Sequence, residues 1–214
     1  MAGNREVTRK ILLACGIISS LLYVAMNAVI PLQWKGYSFA SRVVSELSAI
    51  DAPTRPLWVP LAVIYSLLMI AFGWGVWASA RGGRPLRIVG AALVTDSLIS
   101  LVWPPMHQRE VLAAGGGTLT DTLHIVWSVA WVVLMMVAIG FGAAGLGKRF
   151  RLYSIITAVI LLAFGALTGA QGPRISANLA TPLIGVWERI NIGVAMVWMV
   201  VLAATLWRPG MTEP

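Results

Sequence analysis

The sequence predicts an all-α fold: a polytopic membrane protein, built as a bundle of six transmembrane helices with both termini cytoplasmic. Three observations carry this. The 214 residues are 58% hydrophobic and only 11% charged, with a mean hydropathy of +0.83, whereas a soluble domain carries roughly 25% charged residues. Six apolar runs approach the ~20 residues a helix needs to cross the hydrocarbon core. The basic residues between the runs are dense at one end and sparser at the other, the asymmetry that orients a membrane protein.

The first run spans Ile11 to Leu32. It exceeds the ~7–15 residues of a signal-peptide core, so it reads as a retained span. The loop that follows contains "YSFASRVVSELSAIDAPTRP". Residues 41–50 predict a short amphipathic helix lying at the interface, with Arg42 and Glu46 as an i, i+4 pair. The second span runs from Leu57 to Ala80 and the third from Leu86 to Trp103. Pro104-Pro105 then ends or bends the helix.

The fourth span covers Thr122 to Leu146. Thr118 and Asp121 before it have the spacing of a capping box. The fifth covers Leu152 to Ala170 and the sixth Leu183 to Trp207, with Thr181 and Pro182 suited to the N-cap and first helical position. These spans use almost all of residues 1–214, so one domain is expected. Short turns between spans 2–3 and 4–5 make those pairs antiparallel neighbours. Rows of small residues, Gly165–Gly169, Ala71–Gly75–Ser79 and Gly140–Ala144, predict close helix packing. Trp34, Trp58, Trp103 and Trp187 fall where an aromatic belt belongs. The lone Cys15 excludes an intramolecular disulfide and a cysteine metal site.

Net charge is +8, and the pI is near 10.6. The chain has no zinc finger, recognition-helix pattern or basic stripe interleaved with exposed aromatics, so nucleic acid is not an expected partner. Arg5, Arg9, Lys10, Arg81, Arg84, Arg87, Lys148, Arg149, Arg151 and Arg208 fall on one side. Lys35, Arg42, Arg55, Arg109, Arg174 and Arg189 fall on the other. The first side is expected to be cytoplasmic, in a plasma (inner) membrane whose lipids are the partners.

Acids cluster oppositely. Glu46, Asp51, Glu110, Asp121 and Glu188 lie on the outer side with His107 and His124, while Asp96 lies midway through span 3. Asp96, Ser100, Trp103 and His107 recur at helical spacing. An ionisable residue at that depth is a functional candidate, or a hydrogen-bond hub with Tyr23 or Asn27 of span 1. Glu188 is expected to point inward toward Arg42, Arg55 or a histidine, and Arg189 to snorkel outward.

The outer mouth is thus where chemistry is expected. Asp96, Glu188 and Ser45 are the candidate catalytic groups; a serine nucleophile needs a base in reach, and the histidines are the available ones. Arg42, Glu46, Arg55, Arg189 and Asn191 are candidate binding residues. His107, His124 and Asp121 form a candidate metal set, since two histidines and a carboxylate match one catalytic zinc shell. Alternatively, Asp121 orients His124, its neighbour at i, i+3. The leading expectation is an outer pocket that binds a lipid headgroup or small molecule. The alternatives are a metal-dependent hydrolase of a lipid amide or ester, with a metal polarising the carbonyl, and a proton-coupled transporter working through Asp96.

"SELSAIDAPTRPLW", "TDTLHIVW", "KRFRLYSI" and "GVWERINIG" resemble segments of the bacterial domain-of-unknown-function 998 family. That resemblance implies a six-span membrane fold and no particular reaction. A weaker similarity is to the membrane hydrolase superfamily of alkaline ceramidases and progestin and adipoQ receptors, whose members hold zinc with a serine, an aspartate and three histidines. Ser45, Asp96, His107 and His124 echo that inventory. This chain differs in having six expected spans rather than seven and two histidines rather than three.

Overall fold

The computed structural model describes residues 2–207. Arg208 and the C-terminus, both expected in the cytoplasm, lie outside the described residues. The described chain is all-α. Helix α1 covers Ala2–Val29, α2 Arg55–Ala78, α3 Arg84–Ser100 and α4 Arg109–Ala113. Helix α5 covers Leu119–Gly145, α6 Lys148–Gly169, α7 Gly172–Ser176 and α8 Ile184–Trp207.

Among the described residues, five helices are long and apolar enough to cross a membrane: Gly3–Gln33, Arg55–Ala78, Leu119–Gly145, Lys148–Ser176 and Ile184–Trp207. The expected third span is shorter than predicted. Helix α3 has 17 residues, about 25 Å at 1.5 Å per residue, against a hydrocarbon core of ~30 Å. It stops before Trp103 because Pro104-Pro105 removes a helical donor and pushes the preceding residue toward extended backbone.

Six long helices pack as a closed ring in chain order: α1 on α2, α2 on α3, α3 on α5, α5 on α6, α6 on α8, and α8 back on α1. The end holding the α2–α3 and α5–α6 turns is solidly filled. Leu13, Phe72, Leu93, Ile139, Trp198 and Leu202 form its core, and the Trp198 indole donates to Ser154 Oγ at 3.0 Å. At this end Arg9 also donates to the Leu206 carbonyl at 2.7 Å, tying α1 to α8. Glycine is required where α2 meets α3, since a Cβ on Gly90 would stand 2.7 Å from the Gly73 carbonyl oxygen. Gly75 meets α1 in the same way, at Leu12. The Gly140–Ala144 row instead faces outward: Gly140 has no neighbour within 4 Å and both residues are exposed.

The other end of the ring is closed by chain rather than by helix packing. Residues 34–54 fold back into it around a 3-10 turn at Val44–Ser48. This corrects the expected interfacial helix: Val44, Glu46, Leu47 and Ser48 are buried. The segment penetrates because its one deep charge is fully compensated, as described next.

Candidate functional site

Glu46 is 0% exposed and accepts four hydrogen bonds. Arg109 grips it in a bidentate fork, Nε to Oε1 at 2.8 Å and Nη2 to Oε2 at 2.8 Å. Arg42 Nη1 donates to Oε1 at 2.9 Å, and the Val43 N–H to Oε2 at 2.9 Å. A planar guanidinium matches a carboxylate in this way, and such charge-assisted pairs are the strong ones. Arg109 also donates to Thr181 Oγ1 at 3.1 Å. Thr181 in turn donates to the Ser41 carbonyl at 2.8 Å. Thr181 is therefore a brace and not the expected N-cap, and α8 begins at Ile184.

Arg42 stacks over Trp34 and bridges outward to Glu110 at 2.8 Å. Arg189 does not snorkel outward. Its guanidinium donates to the Phe39 carbonyl at 2.9 Å, the Gly185 carbonyl at 3.0 Å and the Tyr37 hydroxyl at 2.9 Å. Tyr37 donates to the Val43 carbonyl at 2.9 Å. Burial pushes its phenol up to about 12, so it stays a donor throughout the neutral range. Arg55 donates to the Ser48 carbonyl. Asn191 donates to the Leu161 carbonyl at 2.7 Å, tying α8 to α6.

The histidines are placed differently from expectation. Asp121 pairs with His107, whose Nδ1 lies 2.9 Å from Oδ2 and whose backbone N–H reaches Oδ1 at 2.7 Å. The Thr118 N–H adds the expected capping interaction at 2.8 Å. His124 lies 2.7 Å from the Pro104 carbonyl through Nδ1, which makes Nδ1 the protonated nitrogen when the ring is neutral. The proline turn is the reason: it brings His107 back over the start of α5 and points a free carbonyl at His124. The expected His107–His124–Asp121 metal set is therefore not assembled. Among the described residues no group of three histidine, cysteine, aspartate or glutamate side chains is placed to hold a metal ion.

Beneath this lock the half of the ring next to the inserted segment holds a cavity of about 690 Å³. Asp96 from α3, Glu188 from α8, His124 and Asp121 from α5, and Ser45 from the inserted turn all line it. The Glu188 carboxylate accepts the Val44 N–H and, at 3.4 Å, the Ser45 hydroxyl. Neither Arg42, Arg55 nor a histidine meets it, contrary to expectation. Asp96 is 6% exposed, and its Oδ1 has no hydrogen-bond partner among the described residues. The hub with Tyr23 and Asn27 does not form, because Asn27 donates to the Tyr23 carbonyl at 3.1 Å. Trp58 and Trp103, expected in a surface belt, are cavity wall, joined by Trp127 and Trp131. The rim reaches the exposed side of α5, where Ile125 and Val129 line the cavity while 64% and 58% exposed. Gly169 of α6 also lines it, and a Cβ added there would meet nothing within 4 Å.

Sequence reasoning missed Arg109 and Thr181 as parts of the site. In the sequence Arg109 looks like an ordinary loop cation. The α5 face does carry a signal, since His124, Trp127, Ser128 and Trp131 recur at i, i+3 and i+4 spacing.

The family described as "Protein of unknown function (DUF998)" matches residues 17–205. The chain belongs to this family. The match begins inside α1 and ends inside α8, so every residue lining the cavity, from Tyr23 to Met196, lies within the DUF998 region. Comparisons with curated proteins and with solved structures gave no match.

Proposed function

We propose that this DUF998 protein is a six-span protein of the plasma (inner) membrane whose outer cavity binds a lipid headgroup or a small amphipathic molecule. In this reading α3 is the remaining crossing, and both termini are cytoplasmic. The closed ring supports the six crossings, because each helix packs on the one before it in the ring. The concentration of arginine and lysine at the α2–α3 and α5–α6 turns supports the orientation. In a Cys15→Ser background, a cysteine at Gly82 is expected to resist a membrane-impermeant thiol reagent in intact cells. One at Gly116 should react. The reverse pattern would invert the topology, and the same response at both positions, labelled or protected, would remove α3 from the membrane.

The observation that carries the binding function is the cavity itself. It is concave, aromatic-walled and supplied with a few polar groups, the usual constitution of a small-molecule site. Its rim of lipid-exposed apolar residues provides a route from the bilayer. Protein extracted in a mild detergent is expected to retain a bound amphiphile, detected by lipidomic analysis against a mock-purified blank. Repeated absence of any enriched molecule would count against the reading. The metal-dependent hydrolase has weaker support, because two of its three intended ligands, His107 and Asp121, pair with each other while His124 is held by the Pro104 carbonyl. No contact favours proton-coupled transport through Asp96.

A further inference from the structure

The charge inside the cavity runs against the composition of the chain. The sequence has 16 basic and 8 acidic residues. Yet Asp96, Asp121 and Glu188 line the cavity, and among the described residues no lysine or arginine does. Four of the cations at this end are engaged elsewhere. Arg42 and Arg109 hold Glu46. Arg55 and Arg189 donate to backbone carbonyls.

Of the three acids, only Asp121 has a partner able to carry positive charge, His107. Glu188 has one backbone N–H and a serine hydroxyl, and no salt bridge among the described residues. Asp96 is buried, with Oδ1 unpartnered. A buried carboxylate is costly unless it is paired and hydrogen-bonded. Two such groups, on α3 and α8, face one space. The walls around that space are Trp58, Trp103, Trp127, Trp131, Tyr23 and Tyr65. Aromatic faces attract organic ammonium groups, most strongly where water is excluded.

We infer that the cavity takes an amphiphile whose head is an organic cation, a primary amine or quaternary ammonium. The head sits against Asp96 and Glu188, and the apolar body extends toward the rim at Ile125 and Val129. This rests on the binding function proposed above and names its ligand class. A head with a phosphate, sulfate or carboxylate and no ammonium would meet two buried acids and no cation, so ligands with a purely anionic head are excluded on the same grounds.

The test is a charge series on one apolar chain. Purified protein in a neutral maltoside detergent is dialysed to equilibrium against trace radiolabelled dodecyltrimethylammonium, dodecanol or dodecyl sulfate, with protein-free micelles as the blank. Saturable binding of the ammonium is expected to be at least about tenfold tighter than that of the other two. It should weaken about tenfold in Asp96→Asn and again in Asp96→Asn combined with Glu188→Gln. Competition by short-chain phosphatidylethanolamine but not phosphatidylglycerol would identify a membrane-lipid ammonium as the occupant. Failure of both lipids to compete would identify a free amine. Dodecanol or dodecyl sulfate binding as tightly as the ammonium would overturn the cationic assignment while leaving the cavity a binding site. No saturable binding of any of the three would overturn both.

Discussion

Glu46→Ala is expected to dismantle the end of the ring closed by residues 34–54, at a cost of about 3–5 kcal/mol. Glu46 is wholly buried and holds Arg109, Arg42 and the Val43 N–H. Its removal leaves the Arg109 guanidinium buried with only Thr181 and the Ser41 carbonyl as partners. Breaking one side of a buried pair is worse than never having had it, because the remaining charge is desolvated and unpaired. Arg109→Lys should fail nearly as badly, since an ammonium cannot reproduce the two-point grip. The Arg42–Glu110 contact is the internal control. Glu110 is 49% exposed, and Glu110→Ala should cost no more than about 1 kcal/mol, as surface pairs do. Thermal unfolding in detergent, followed by tryptophan fluorescence, reads all three variants. Equal losses for Glu46→Ala and Glu110→Ala would refute the lock.

Gly185→Ala is the second large effect. Gly185 donates its N–H to the Ala40 carbonyl at 2.9 Å, and a Cβ there would collide with the carbonyls of Phe39 and Arg42. Those carbonyls are backbone, and Arg189 also binds them. They cannot withdraw without loosening the inserted segment. Overpacking of this kind costs about 1–3 kcal/mol. Gly140→Ala provides the contrast. It is mid-helix with open space around it, so the substitution should stabilise by about 0.5–1 kcal/mol through propensity alone. A Gly185→Ala protein as stable as wild type would mean that residues 39–42 do not rest on α8.

The fold is readable from the sequence because hydropathy periodicity is a strong, local signal. Five of the expected spans correspond to helices long and apolar enough to cross a membrane. The third is overextended in the sequence because the apolar run continues to Trp103 while the backbone obeys Pro104-Pro105. The capping interaction of Asp121 and the Arg42–Glu46 pair are also legible, both being short-range spacings on one segment. What spacing does not reveal is pairing at a distance. It matches Asp121 to His124, its neighbour along the helix, but the proline turn delivers His107 to it instead. It matches Glu188 to arginines that are committed to Glu46 and to carbonyls. Nothing local distinguishes Arg109, a buried arginine, from a solvated one. The tryptophans read as a belt because one sequence gives depth in the membrane but not which side of a ring a residue faces.

Filling the cavity tests whether it is a ligand site. Gly169→Trp and Ser128→Trp introduce bulk from α6 and α5, at two positions that line the cavity and lie away from the Glu46 lock. Native mass spectrometry of wild type and both variants, released from the same membrane, measures the occupancy of any bound amphiphile. A ligand site requires a bound species on the wild type that is lost from both variants, with their thermal stability kept. Equal occupancy in all three proteins would contradict it.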